Sequence, residues 1–147
     1  MQPTSSPVKV GVIGIGNMGW HHARVLSLLK DANLIGVADP NEERGKLAIE
    51  QFQCEWFKDY KDLIPKVDAI CIAVPTLLHQ KVGLDCLNGG TNVLIEKPIA
   101  ANELEAKISA MQFAAEPCIE STKSLNFIFF NLLEIKSISK RDLILSK

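Results

Sequence analysis

Short apolar runs alternate with amphipathic segments between residues 8 and 95 of the chain. The apolar runs predict five strands, at residues 8–13, 33–38, 55–57, 68–74 and 92–95. The amphipathic segments predict helices at residues 20–29, 41–52 and 76–87, and a shorter one at 60–64. In the first helix, the expected apolar stripe consists of Val25, Leu26, Leu28 and Leu29. Near-continuous apolar strands separated by helices are typical of a doubly wound parallel α/β sheet.

The first predicted strand leads directly into a glycine turn, Gly14-Ile15-Gly16-Asn17-Met18-Gly19, which has G-x-G-x-x-G spacing. A strand that ends in such a turn and opens a helix presents backbone N–H groups at the helix N-terminus, where a pyrophosphate binds. We expect Gly14 to permit the tight turn, Gly16 to let the diphosphate approach the backbone, and Gly19 to let helix and strand pack closely. The pattern predicts a Rossmann-type dinucleotide site.

The second predicted strand ends at Asp39, about 20 residues past the glycine turn, where a carboxylate accepts hydrogen bonds from adenosine ribose hydroxyls. The same carboxylate would repel a 2′-phosphate, and Pro40 and Asn41 follow it instead of an arginine. The sequence therefore favours NAD over NADP as the cofactor. The alternative is a helix cap, since Asp39-Pro40-Asn41 before Glu42 and Glu43 is also a good helix start.

The glycine turn and the right-handed crossover rule together favour the strand order 3-2-1-4-5. In that order the ligand lies at the carboxyl ends of the first, fourth and fifth strands. Asp39, Pro75 and Lys97 all follow predicted strands and lie at that edge. Thr76, which comes directly after Pro75, is expected to cap the following helix.

Composition narrows the class of ligand. The 147 residues carry a formal net charge of −1 with interspersed signs, which predicts neither a nucleic-acid-binding face nor a polybasic membrane segment. A small-molecule ligand is expected. Residues 1–7 are predicted to be a flexible leader that lacks the regions of a signal peptide, so a cytoplasmic location is expected. The four cysteines have no C-x-x-C spacing, so we expect buried or free thiols, with no metal site and no disulfide framework.

Residues 8–115 are predicted to form the dinucleotide-binding domain, whose last helix is expected at 101–115. Residues 116–147 are predicted to be a divergent tail. The apolar run at 125–133 is too short to span a bilayer, which takes about 20 residues in a helix. It could be a replacement strand or helix, or the product of a shifted frame or early stop. Such a tail could support self-association through Phe127, Phe129 and Phe130.

Several motifs occur in an order that resembles the N-terminal domain of the Gfo/Idh/MocA oxidoreductases. The first is the glycine turn followed by His22, and the second is Val37-Ala38-Asp39. The third is Val74-Pro75 with His79, and the last and most specific is the Glu96-Lys97-Pro98 triplet after an apolar strand. The resemblance covers roughly residues 8 to 113.

This resemblance implies an NAD(P)-dependent enzyme that moves a hydride between the nicotinamide and a sugar or polyol hydroxyl or carbonyl. It implies that Lys97 is catalytic, hydrogen-bonding the reacting oxygen, and that Pro98 fixes the turn that aims Lys97, with the isomer of the Lys97–Pro98 peptide bond left open between cis and trans. The implied cofactor contacts are Gly14, Ile15, Gly16, Asn17, Met18, Gly19, Asp39, Val74, Pro75, Thr76, His79 and Glu96, with Glu96 on the nicotinamide side. The family's main proton-transfer residue comes from a second domain, for which this chain has no room.

Other interpretations stay open at this point. The chain could be a non-enzymatic NAD-binding module or a truncated remnant that binds cofactor without turnover. Lys97 could be a solvated surface residue, and His79 could be packed instead of touching the cofactor. We expect His22 to be structural and His21 to lie on the surface. A flavin or methyl-donor protein is disfavoured by Asp39 together with the Glu96-Lys97-Pro98 triplet.

Overall fold

Strands and helices alternate throughout the computed structural model, which describes residues 6–98. The strands are β1 (Val8–Ile13), β2 (Ala32–Ala38), β3 (Glu55–Phe57), β4 (Ala69–Ile72) and β5 (Asn92–Ile95). The α-helices are α1 (Asn17–Leu28), α2 (Glu42–Phe52) and α3 (His79–Asn88), and single 3-10 turns lie at Tyr60–Asp62, Ile64–Lys66 and Thr76–Leu78. The strands form one sheet in the order β3-β2-β1-β4-β5, which confirms the predicted order and the Rossmann-type fold class.

All four strand pairs are parallel, so the carboxyl ends of the strands share one edge of the sheet. Backbone hydrogen bonds extend the ladder past the strand ends. The N–H of Gly14 donates to Ala38 O at 2.7 Å, that of Ala73 to Ile13 O at 2.8 Å, and that of Glu96 to Ile72 O at 3.0 Å. The segments that follow β2, β1, β4 and β5 are thereby held side by side at this edge.

The helix α1 packs on the sheet through small residues, which differs from the expected apolar stripe. Its buried positions are Gly19 and Ala23, and of the predicted stripe only Leu26 packs against the core. The other three are exposed over half or more of their surface, at 55%, 73% and 50% for Val25, Leu28 and Leu29. The reason is steric, because glycine and alanine let the helix approach β1 and so leave the large side chains outside.

The connection from β4 to α3 also differs from expectation. The strand ends at Ile72, two residues earlier than predicted, and Thr76 does not cap a helix. The Pro75 carbonyl instead accepts the N–H of Leu78 at 2.8 Å, which produces a 3-10 turn, and α3 begins after it at His79 without a side-chain cap.

Cys54, Cys71 and Cys86 are buried free thiols, as predicted. Burial raises the pKa of Cys71 to about 11 and that of Cys86 to about 12. The described helices include none that is both long and apolar enough to cross a bilayer. Cys118, the predicted helix at 101–115, the tail at 116–147 and most of the predicted leader lie outside the described residues.

Candidate functional site

The three glycines of the turn after β1 have different surroundings. Gly14 has a φ of +87°, and a Cβ there would lie 2.8 Å from the carbonyl oxygen of Ala73. A Cβ on Gly19 would overlap the carbonyl oxygen of Gly14, whereas a Cβ on Gly16 would have no heavy atom within 4 Å. Gly14 and Gly19 therefore make the tight turn and the close packing, while Gly16 borders open space.

The N-terminus of α1 faces that open space. Its cap residue, Gly16, offers no side-chain acceptor, and the first turn contains no acidic residue. Asn17 and Met18, which form this turn, have exposed side chains. Uncapped N–H groups and the positive end of the helix dipole favour an anion at this place.

Asp39 connects the tip of β2 to the glycine turn. Its side chain is buried, with 6% of the residue exposed. Its Oδ2 accepts the N–H of Ile15 at 2.7 Å and its Oδ1 accepts the N–H of Asn41 at 2.8 Å. The segment Asp39-Pro40-Asn41 does start α2, as the alternative interpretation held, but the cap is Asn41, whose Oδ1 accepts the N–H of Arg44 at 3.0 Å. A carboxylate has about four lone-pair sites, so Asp39 keeps acceptor capacity for a ligand.

Ile15 is the core-facing residue of the glycine turn. Its N–H is bonded to Asp39, and its side chain is 3% exposed within the core cluster. Ile15 thus fixes the shape of the glycine turn.

A cavity of about 520 Å³ opens between the segments that follow β1, β2, β3 and β4. Its walls include Gly14, Asp39 and Val74 from the predicted set. They also include three residues that the sequence analysis missed, Lys58, Asp59 and Tyr60. Their position directly after β3, at the ligand-binding edge of the sheet, is the signal that could have found them.

Tyr60 is fixed at the wall of this cavity. Its hydroxyl donates to Asp85 Oδ2 on α3 at 2.6 Å. Burial, and then the hydrogen bond to Asp85, raise the pKa of the Tyr60 phenol, so it stays protonated as a donor. This hydrogen bond ties the segment after β3 to α3, whose Val82 also lines the cavity.

Glu96, Lys97 and Pro98 continue from β5 at the same edge and are called the lysine segment below. Glu96 Oε1 pairs with Nε2 of His22 on α1, and its Oε2 accepts the N–H of Lys97 at 3.1 Å. The hydrogen bond from His22, with a smaller contribution from the Lys97 N–H, lowers the pKa of Glu96. Lys97 itself has an exposed side chain. The pair joins the helix of the glycine turn to the lysine segment.

His79 ties the other side of this segment. The residue is 2% exposed, and its ring nitrogens lie 2.9 Å from the Pro98 carbonyl oxygen and 2.8 Å from that of Val74. Both polar atoms of the ring thus face protein groups. The peptide bond between Lys97 and Pro98 is cis, which the sequence left open.

The remaining predicted residues lie around the same edge. Pro75 is exposed and Thr76 is partly buried in the 3-10 turn before α3. The sheet edge therefore carries the glycine turn, Asp39, the segment after β4 and the lysine segment. This arrangement offers an anion site, a ribose-type acceptor and an exposed lysine.

Residues 8–119 match the family model GFO_IDH_MocA, an oxidoreductase family with an NAD-binding Rossmann fold. Glucose-6-phosphate 3-dehydrogenase of Bacillus subtilis is 30% identical over 86% of this chain and 36% of its own length. Inositol 2-dehydrogenase of Rubrobacter xylanophilus is 39% identical over 68% of this chain and 30% of its own length. The chain therefore spans about a third of the curated relatives it matches.

Solved structures agree with this match. The crystal structure of myo-inositol 2-dehydrogenase from Lactobacillus plantarum is 28% identical, with a TM-score of 0.70 over 76% of this chain and 34% of that one. UDP-N-acetylglucosamine 3-dehydrogenase from Acidithiobacillus ferrooxidans is 30% identical, with a TM-score of 0.69 over 76% and 36%. The predicted cofactor class, a nicotinamide dinucleotide, is confirmed by the family match. The chain belongs to the Gfo/Idh/MocA family of oxidoreductases and carries its NAD-binding Rossmann domain.

Proposed function

We propose that the protein is an NAD-dependent dehydrogenase that oxidises a CH–OH group of a sugar or polyol, or reduces the corresponding carbonyl. The observation that carries this proposal is the placement of the glycine turn, Asp39 and Lys97 along one edge of the sheet. The named relatives act on glucose 6-phosphate and on inositol, which supports a hydroxylated small molecule as the substrate. Since the chain spans about a third of those relatives, the proposal concerns the protein whose cofactor domain it forms.

The residues present fit the cofactor. The open space beside Gly16 and the uncapped first turn of α1 would receive the diphosphate. The remaining acceptor capacity of Asp39 would receive the ribose hydroxyls, and the cavity beside it would hold the adenosine. When bound, NAD supplies the carbon that takes or gives the hydride.

Lys97 is the residue to which we assign the catalytic contact. Its exposed ammonium group follows β5 and would donate a hydrogen bond to the reacting oxygen of the substrate. A cation there stabilises the negative charge that develops on an alkoxide. We assign Glu96 a positioning role, because its carboxylate is held by His22 and in turn holds the N–H of Lys97.

His79 is assigned a positioning role as well. Its ring spans the carbonyl oxygens of Val74 and Pro98, so it joins the segment after β4 to the lysine segment. We further propose that residues 8–115 form the complete cofactor domain. A cytoplasmic location is supported by the three buried free thiols, since disulfides are rare in reducing compartments.

The first experiment is calorimetric titration of the 147-residue chain with NAD, run beside a thermal melt. A cooperative melt with saturable NAD binding supports the proposal, and a cooperative melt without binding contradicts it. Asp39→Ser should weaken NAD binding and reduce the bias against NADP, because it removes the carboxylate that is proposed to accept the ribose hydroxyls and to repel a 2′-phosphate. Unchanged NAD affinity would remove Asp39 from the ribose site.

The second experiment tests Lys97 and the reaction. The protein is incubated with NAD and with glucose 6-phosphate or an inositol, and NADH formation is followed by absorbance. Lys97→Met should keep the affinity for NAD and lose turnover, because the proposed contact is with the substrate. Loss of NAD binding in this variant would place Lys97 in the cofactor site. Cofactor binding without turnover, measured on the wild-type protein whose cofactor domain this chain forms, would favour the non-enzymatic NAD-binding module.

A further inference from the structure

Arg44 lies beside the candidate ribose site although it is five positions away in sequence. It belongs to the first turn of α2, and its guanidinium Nη1 is 4.0 Å from Oδ2 of Asp39. Its side chain is 54% exposed. The turn of the helix brings this arginine back toward Asp39, so the absence of an arginine directly after Asp39 does not leave the site without one.

We propose that Arg44 is a specificity-determining residue that reduces the discrimination of Asp39 against a 2′-phosphate, so that the site accepts NADP as well as NAD. This inference rests on the proposed cofactor site. It deepens that proposal because it names the group that sets the preference between the two dinucleotides.

The guanidinium of Arg44 is available for a ligand. At 4.0 Å its contact with Asp39 is an ion pair beyond hydrogen-bond distance, so its N–H donors are not used by this carboxylate. Both oxygens of Asp39 are bonded to backbone N–H groups, of Ile15 and Asn41. Among the described residues the guanidinium has no hydrogen-bond partner, and a planar guanidinium suits a phosphate, which it binds through two parallel hydrogen bonds.

The charges around the cavity include a second cation, Lys58. Lys58 lines the cavity wall, as does the acidic Asp59, whose Oδ1 accepts the N–H of Lys61 at 2.9 Å. Glu42, also in the first turn of α2, pairs with Lys46 at 2.7 Å. Asp39 is therefore flanked by Arg44 and shares its cavity with Lys58, which moderates its repulsion of a phosphate.

The expected effect follows from the charge of the 2′-phosphate. A group of charge −2 within about 5 Å of a cation in screened solvent gains an interaction that corresponds to about five- to tenfold in affinity. Only NADP carries this phosphate. Removal of the guanidinium should therefore weaken NADP binding by about that factor more than it weakens NAD binding.

The test is calorimetric titration of the full chain with NAD and with NADP, for the wild type, Arg44→Ala and Lys46→Ala. Lys46→Ala is the matched control, because it removes the same charge from the same helix. Lys46 itself pairs with Glu42 and not with Asp39. The Arg44 substitution keeps the capping bond of α2, since Asn41 accepts the backbone N–H of Arg44. A thermal melt of each variant checks the fold.

In Arg44→Ala, the ratio of the NADP Kd to the NAD Kd should rise about five- to tenfold, and the rise should shrink at high salt. In Lys46→Ala the ratio should stay at the wild-type value. An equal loss for both dinucleotides, or an unchanged ratio in Arg44→Ala, would overturn the inference while leaving the cofactor site in place. A folded wild-type chain that binds neither dinucleotide would overturn the proposed function and this inference with it.

Discussion

Gly16 and Gly19 belong to one glycine turn, but alanine at each should have a different effect. Gly19→Ala should lower the stability of the fold, and Gly16→Ala should weaken NAD binding. A methyl group on Gly19 would overlap the carbonyl oxygen of Gly14, which is backbone and cannot rotate away. Overpacking of this kind costs up to about 3 kcal/mol, and the better helix propensity of alanine offsets about 1 kcal/mol. The net loss of about 2 kcal/mol should lower the Tm by roughly 4–8 °C for a chain of this size.

A methyl group on Gly16 meets no heavy atom within 4 Å, and its φ of −78° is ordinary for alanine. Gly16→Ala should therefore cost less than about 1 kcal/mol of stability, the usual price at a helix cap. The methyl would, however, occupy the space through which the diphosphate is proposed to pass. If the clash between this methyl and the diphosphate costs about 1.4 kcal/mol or more of binding free energy, NAD affinity falls by about tenfold or more.

The two variants are compared with the wild type by thermal melting, followed by circular dichroism, and by calorimetric titration with NAD. The expected pattern is a lowered Tm for Gly19→Ala and a near-normal Tm with weak NAD binding for Gly16→Ala. The reasoning would be refuted by a Gly19→Ala variant that melts like the wild type. It would equally be refuted by a Gly16→Ala variant that binds NAD at wild-type affinity.

Two further predictions concern the ties that hold the lysine segment. The lowered pKa of Glu96 means that its stabilising effect is complete above the ordinary carboxyl value of 4.5 and is lost as the pH falls through the lower folded-state pKa. The difference in Tm between the wild type and Glu96→Gln should therefore shrink below pH 4.5, and a difference independent of pH would contradict the pairing with His22. His79→Phe should lower the free energy of unfolding by about 1–3 kcal/mol in equilibrium urea denaturation, because it removes the ring N–H that donates to a carbonyl oxygen of Val74 or Pro98. Unchanged stability would show that those oxygens do not depend on His79.

The order of the strands and the edge that carries the site could be predicted from the sequence, because both follow from the alternation of apolar runs and from the glycine turn. The position of Asp39 at the tip of β2 follows from the same pattern. Its hydrogen bond to the N–H of Ile15 does not, since it depends on how closely the β1 and β2 ends approach in the folded sheet. The sequence pattern therefore located the carboxylate but left its role open between ribose contact and helix cap.

Two kinds of feature could not be predicted from the sequence. One is the rotation of a helix about its own axis, and the other is a contact between elements that are distant in sequence. The buried positions of α1 are Gly19 and Ala23, whereas three of the four large apolar residues of the predicted stripe, Val25, Leu28 and Leu29, are exposed. Arg44 comes within 4.0 Å of Asp39 because the first turn of α2 brings its side chain back toward the tip of β2. His79 and Pro98 are 19 positions apart, and their contact requires α3 and the segment after β5 to be in place.

Trp56 provides the proposed ribose site with an optical reporter. Its indole N–H donates to the backbone carbonyl oxygen of Asp39 at 3.0 Å, and a Cβ on Gly45 would lie 2.4 Å from its ring. The emission of an indole responds to changes in its hydrogen bonding and to nearby reduced nicotinamide, which absorbs in the same spectral region. Occupancy of the site by a dinucleotide can therefore be followed in unlabelled protein, with Trp56→Phe to separate this signal from that of Trp20.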